Sequence, residues 1–145
     1  MAMLKKYLPL VARSAIALIF LNSGICKLTD FSGTQQQIAG AGLPLAPLVT
    51  LFTIIFLLVG SISLFVGYRA RIGAGLLIAF LVPATLVFHN PVADPSQMTQ
   101  FLKNLAIIGG LLMVTTYGSG PVSLLQPTSA TSASNSMGSS AYSQD

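Results

Sequence analysis

The chain has 145 residues, of which 53% are hydrophobic and only 7% are charged, with seven bases, three acids and a net charge of +4. Soluble domains usually carry about 25% charged residues, so this composition excludes an ordinary water-soluble domain. The bases are scattered beside apolar runs and do not form the continuous positive surface that binds nucleic acid. Bases at the ends of apolar runs are typical of a protein oriented in lipid.

Four apolar stretches predict transmembrane helices at residues 8–28, 45–67, 71–88 and 101–117. A helix needs about 20 mostly apolar residues to cross roughly 30 Å of hydrocarbon. Barrel strands alternate apolar and polar residues, whereas these stretches are apolar throughout. Short connections favour antiparallel neighbours. We therefore expect an all-α membrane protein, an antiparallel four-helix transmembrane bundle.

Polar segments separate the spans. Residues 29–44 are rich in glycine, residues 89–100 contain two prolines, and the connection at 67–71 reads GYRAR. From 127 to 145 the chain turns to Ser, Thr and Ala, with too few large apolar residues to offset the entropy of ordering. We expect residues 1–126 to form the membrane domain and residues 127–145 a disordered cytoplasmic tail.

The bases predict the orientation in the membrane. If the N-terminus is inside, four loop or terminal bases face the cytoplasm and two face outward. The four are Lys5, Lys6, Arg69 and Arg71, and the two are Lys27 and Lys103. Since cytoplasmic loops are enriched in Lys and Arg, we expect a multi-pass protein of the bacterial plasma (inner) membrane with both termini in the cytoplasm.

Few side chains offer chemistry. His89 is the single histidine and ends the third span, where it is either an interfacial residue near the last helix carbonyls or a group that relays a proton or binds a quinone carbonyl. Lys103, Lys27 and Asp30 should converge with it at the outer surface, whereas Arg13 lies about 21 Å from Lys27 along the first span, toward the opposite leaflet. The candidate polar site comprises Arg13, Lys27, His89, Lys103 and Asn104.

Arg13 and Cys26 each allow two interpretations. Arg13 lies within the first span and either snorkels to the interface or turns inward to pair with a polar group. Cys26 is most simply a small buried side chain, and alternatively a reactive thiol beside Lys27 that uses a partner's cysteine. With one cysteine and one histidine, we expect no disulfide and no metal.

Glycines in the spans predict close helix packing, because residues without side chains let backbones approach. The expected packing positions are Gly24, Gly60, Gly73, Gly109 and Gly110.

The order of these residues resembles the DoxX family of small membrane proteins with four spans. The first span has the series R-x6-F-x3-G-x2-K-L, the fourth has F-x-K-N-L with paired glycines, and G-x-G-P-x-S follows it. The matching residues are Arg13, Phe20, Gly24, Lys27, Leu28, His89, Phe101, Lys103, Asn104, Leu105, Gly109, Gly110, Gly118, Gly120, Pro121 and Ser123. One departure is Leu57, which stands where family members often carry glutamate.

The resemblance implies a membrane anchor or accessory subunit of a redox complex, of the thiosulfate:quinone or thiol-redox type, that is not catalytic alone. Its expected partners are membrane lipid and a membrane or peripheral oxidoreductase, no intrinsic cofactor is expected, and a quinone is the candidate ligand. Two alternatives stay open. A small transporter or permease subunit would use Arg13, Asn22 and Asn104, and a purely structural or assembly protein would depend on the packing glycines.

Overall fold

The computed structural model describes residues 1–123, and the predicted tail at 127–145 lies outside them. The regular elements in this part of the chain are all helical. They are α1 (Ala2–Thr29), α2 (Phe31–Gly40), α3 (Ala46–Val66), α4 (Ala70–Phe88) and α5 (Met98–Tyr117), with a 3-10 turn at Pro95–Gln97. Four of them, α1, α3, α4 and α5 with its preceding turn, are long and apolar enough to cross a membrane. The prediction of an all-α four-helix bundle is confirmed.

The polar, glycine-rich segment 29–44 contains a helix, α2, which its composition did not indicate. Asp30 caps its start, since the carboxylate accepts a hydrogen bond from the Gly33 N–H over 3.0 Å. Thr34 and Ile38, four residues apart and therefore on one face, are buried. This short helix packs against α3 and covers one end of the bundle.

The connection between α3 and α4 is tight because its backbone turns left-handed twice. Gly67 ends α3 at a φ of 82°, where glycine pays no steric penalty, and its N–H donates to the Ser63 carbonyl over 2.9 Å. Arg69 at a φ of 48° then precedes α4. The hairpin sets α3 and α4 side by side.

Helix α3 lies between α1 and α4, whereas α5 packs mainly on α4 and touches α1 at few positions. Glycines allow the closest approaches: a β-carbon added to Gly24 would lie 2.9 Å from Leu58 Cδ2, and one added to Gly60 would lie 2.8 Å from Leu77 Cγ. Helices α1 and α5 meet where a β-carbon on Gly110 would lie 2.8 Å from Ile16 Cδ1.

The predicted packing glycines divide into two groups. Gly73 faces Gly60 across the α3–α4 crossing, where an added β-carbon would lie 3.0 Å from the Gly60 carbonyl oxygen. Gly109 differs, because nothing lies within 4 Å of the position that its β-carbon would take. In the described part of the chain, the packing expected of the Gly109–Gly110 pair is made by Gly110 alone.

The bundle has two distinct ends. The cap end carries α2 and the loop 89–97. The arginine end carries Arg13, the α3–α4 turn and the segment 118–123 that follows α5.

Candidate functional site

A cavity of about 710 Å³ lies in the cap-end half of the bundle. All five helices line it. Four of the five residues predicted for the polar site contribute to its wall: Lys27, His89, Lys103 and Asn104. The fold thus brings together at one cavity groups that are far apart in the sequence.

The cavity combines an apolar interior with polar groups. Phe20 and Leu81, which are 4% and 6% exposed, belong to both the bundle core and the cavity wall. Ile19, Phe80 and Ile107 extend this apolar lining. Such a concave, largely apolar site with few convergent polar groups is typical of small-molecule binding, for which volumes of about 300–1,000 Å³ are usual.

The charge of the wall is positive. Lys27 is half-buried on α1, and Lys103 is exposed on α5. Neither Asp30 nor Asp94 is among the lining residues, so no carboxylate of the described chain neutralises the two ammonium groups within the cavity. A ligand with hydrogen-bond acceptors or negative charge suits this wall, since each ammonium group has three donors and no acceptor.

His89 is held by the side chain of Gln97. Its Nδ1–H donates to Gln97 Oε1 over 2.9 Å, and Gln97 also contributes to the lowered pKa of the Asp94 carboxyl. An amide oxygen can only accept, which assigns the hydrogen to Nδ1 and leaves Nε2 as the acceptor of the neutral ring. This contact fixes the orientation of the imidazole ring at the cavity wall.

Asn104 joins α5 to α4 inside the bundle. Its Nδ2 donates to Thr85 Oγ1 over 3.0 Å, and that hydroxyl in turn donates to the Leu81 carbonyl over 2.6 Å. Both side chains are buried. This pair fixes the amide of Asn104 at the cavity wall.

Arg13 lies apart from the cavity, at the arginine end. It is 1% exposed, and its Nη1 and Nη2 donate to the carbonyl oxygens of Ser119 and Val122. Of the two interpretations, the inward one describes this side chain. Arg13 therefore does not share a site with Lys27 or His89.

Two other side chains differ from expectation. Cys26 is exposed, not buried, because it lies on the face of α1 that turns away from the bundle. Asn22 is exposed as well, so that Arg13, Asn22 and Asn104 do not line one path between helices. Among residues 1–123, no three His, Cys, Asp or Glu side chains are grouped as a metal site would require.

Sequence reasoning missed the contributions of α2 and of the loop before α5. Thr34, Gln37 and Gln97 line the cavity beside the predicted residues. The spacing of Thr34 and Ile38 behind the capping Asp30 is the signal that could have revealed α2. Nothing in the sequence indicated that Gln97 reaches His89.

Comparison with known proteins gives consistent matches. The sequence model of the DoxX family matches residues 8–90. The chain is 32% identical to the inner membrane protein YqjF of Escherichia coli over 117 residues, which are 79% of this chain and 87% of YqjF. It is 30% identical to the inner membrane protein YphA of the same organism over 120 residues, which are 79% of this chain and 86% of YphA.

A more distant relative is the ER-derived vesicles protein ERV29 of Saccharomyces cerevisiae, which is 32% identical over 78 residues, or 50% of this chain and 25% of ERV29. No solved structure matches the chain. Because the family match covers more than half of the chain and the two bacterial relatives are matched over most of their length, the chain belongs to the DoxX family.

Proposed function

We propose that this DoxX-family protein is an accessory membrane subunit of a redox complex and that its cap-end cavity binds a quinone. The observation that carries the proposal is the cavity itself, an apolar volume of about 710 Å³ whose wall includes Lys27, His89, Lys103 and Asn104. A quinone has an apolar ring, an apolar tail and two carbonyl acceptors. The lining residues fit each of these parts.

The roles of the residues follow from their chemistry. The ammonium groups of Lys27 and Lys103 donate to a carbonyl oxygen, and the Asn104 amide, fixed by Thr85, faces the same wall. Phe20 and Phe80 supply aromatic surface against the ring. A bound quinone would supply a carrier of two electrons and two protons, and His89 would be the side chain of the wall suited to exchange a proton with it.

An accessory role is favoured over independent catalysis. Among residues 1–123, no three potential metal ligands are grouped, and no carboxylate lines the cavity. The proposal is that electrons come from a partner of the oxidoreductase class, of thiosulfate:quinone or thiol-redox type.

The location proposed for the chain is the bacterial inner membrane, with the arginine end and both termini in the cytoplasm. The names of YqjF and YphA support the membrane, and the positive-inside rule supports the orientation. In a Cys26→Ser background, Ser96→Cys should react with an impermeant maleimide in intact cells, and Ala2→Cys only after permeabilisation. The reverse pattern would refute this orientation.

The quinone proposal is tested by binding. The purified full chain should bind decylubiquinone, and the Lys27→Gln/Lys103→Gln variant should bind it about tenfold or more weakly, because a hydrogen bond to a charged group contributes about 1.5–3 kcal/mol and a tenfold loss needs only about 1.4 kcal/mol. Lys5→Gln/Lys6→Gln is the matched control, since it removes the same charge far from the cavity. Equal binding by both variants would refute the site.

The redox role has a separate test. Gentle purification from native membrane, followed by identification of the associated proteins and lipids, should recover an oxidoreductase and a quinone. Recovery of neither would contradict the proposal, whatever the purified chain binds in isolation.

A further inference from the structure

We propose that the arginine end of the bundle holds the phosphate headgroup of an anionic phospholipid in a second cavity, lined by Arg69, Arg71 and the backbone of residues 118–120. This cavity measures about 500 Å³ and is open to the surroundings. It is separate from the cap-end cavity and shares no lining residue with it. The inference does not depend on the proposed quinone site.

The charge at this end is unbalanced. Five of the seven bases lie at this end, namely Lys5, Lys6, Arg13, Arg69 and Arg71. The chain has three acids, of which Asp30 and Asp94 lie at the cap end and Asp145 lies outside the described residues. Within residues 1–123, no carboxylate is therefore available to the arginines of the cavity. The arginines of the cavity thus carry positive charge that no side chain of residues 1–123 neutralises.

The two guanidinium groups of the cavity are free to bind an anion. Arg71 lies against the turn after α5, where a β-carbon on Gly118 would be 3.2 Å from Arg71 Nε. Neither Arg69 nor Arg71 forms an ion pair or side-chain hydrogen bond with the described residues, and the Arg69 Cζ lies over the ring of Tyr68, 5.7 Å from its centroid. Guanidinium groups match the planar pairs of oxygens on phosphate.

The surroundings favour a lipid phosphate over a free one. Ile72 and Tyr117 also line the cavity, and they are 56% and 72% exposed on the outer surfaces of α4 and α5. Tyrosine is enriched at the depth of the headgroups, and basic pockets between spans are known to bind anionic headgroups. A phosphate in the cavity would thus have its acyl chains beside the apolar faces of these helices.

Native mass spectrometry of the detergent-solubilised full chain tests the proposal. Wild type should retain dioleoylphosphatidylglycerol in preference to dioleoylphosphatidylcholine, and Arg69→Gln/Arg71→Gln should weaken retention about tenfold or more. Lys5→Gln/Lys6→Gln is the control of equal charge and should retain the lipid. Ser119→Asp, which keeps both arginines but adds a carboxylate to the cavity, should also expel it.

The other outcomes overturn the proposal. Equal loss in both double variants would indicate unspecific attraction to net charge, and equal retention of the two lipids would show that phosphate charge is not recognised. If inorganic phosphate displaces phosphatidylglycerol at comparable concentration, the cavity binds a free anion and not a lipid. Unchanged retention by Ser119→Asp would place the lipid elsewhere.

Discussion

Arg13, in the first span, donates a hydrogen bond to the carbonyl oxygen of Ser119, which lies 106 residues further along the chain. Its second donor, Nη2, reaches the Val122 carbonyl over 3.4 Å. Gly67 makes room for the guanidinium group, since a β-carbon there would lie 2.8 Å from Arg13 Nη2. We call Arg13, Gly67 and residues 118–123 the arginine clasp, and it ties the segment after α5 to α1.

Arg13→Gln should loosen the arginine clasp. The variant loses the charged donor, and the carbonyl oxygens of a non-helical segment then lack their partner in a low-dielectric environment. Hydrogen bonds to charged groups contribute about 1.5–3 kcal/mol each to stability, so we expect a loss of about 2 kcal/mol or more. The midpoint of thermal unfolding in detergent should fall, and proteolysis after residue 117 should become faster.

Lys6→Gln is the control for charge, because Lys6 is exposed and forms no side-chain hydrogen bond with the described residues. Its stability should match that of wild type. If Arg13→Gln unfolds at the wild-type midpoint and its segment resists protease equally well, then the clasp does not hold the segment.

Gly60→Leu and Gly109→Leu form a matched pair that differs only in packing. At Gly60 a side chain would meet Leu77 at 2.8 Å and the Gly73 carbonyl oxygen at 3.1 Å, so α3 and α4 must separate. Overpacking of this kind costs about 1–3 kcal/mol. Gly109 has open space, and its variant should unfold like wild type. Detergent unfolding measures both, and equal destabilisation would contradict the assigned crossing.

The sequence predicts the spans well for a physical reason. A lipid-spanning helix needs a long apolar run, and that run is visible in the residues themselves, as in Ala46–Val66. The convergence of Lys27, His89 and Lys103 was also predictable, because alternating spans return polar ends to one side. Rotation about the helix axis was predictable for α1, where Arg13, Phe20 and Gly24 share one face and are buried. It was not predictable for α5, because nothing in its apolar pattern turns Gly109 away from its neighbours.

Acid should weaken the hydrogen bonds by which the Asp94 carboxylate orders the turn before α5. Hydrogen bonds from the Ser96 side chain and backbone hold the pKa of the Asp94 carboxyl below its ordinary value, with a smaller contribution from the Gln97 side chain. A carboxyl group whose pKa is lower in the folded chain stabilises the fold above its unfolded pKa of about 3.9, and this contribution is lost as the pH falls through the folded pKa. The loop order should therefore persist at neutral pH and decline only in strong acid.

Hydrogen exchange of the Ser96 amide reports this transition. In wild type the amide should be protected in mildly acidic buffer relative to Asp94→Asn, after correction for the intrinsic exchange rate, because the neutral amide of asparagine is the weaker acceptor. Identical protection in the two proteins would show that the carboxylate does not order the turn.

The Thr85–Asn104 hydrogen bond is the contact that most directly links bundle stability to the cap-end cavity. It joins α4 to α5 over 3.0 Å between two buried side chains. Inter-helix hydrogen bonds in membranes couple their partners by about 0.6 kcal/mol on average and rarely more than about 1.7 kcal/mol. A double-mutant cycle with Thr85→Val and Asn104→Leu should give a coupling energy within this range, measured by unfolding in detergent.

The same cycle separates the two roles assigned to Asn104. Thr85→Val removes the hydroxyl that orients the amide but leaves the amide itself, so ligand binding should weaken less than it does in Asn104→Leu. Thr85→Val should be the more destabilising of the two, because it leaves the buried Asn104 amide without this partner, whereas in Asn104→Leu the Thr85 hydroxyl still donates to the Leu81 carbonyl. A coupling energy of zero would mean that the two side chains act independently. The packing of α5, and not the hydrogen bond to Thr85, would then orient the Asn104 amide.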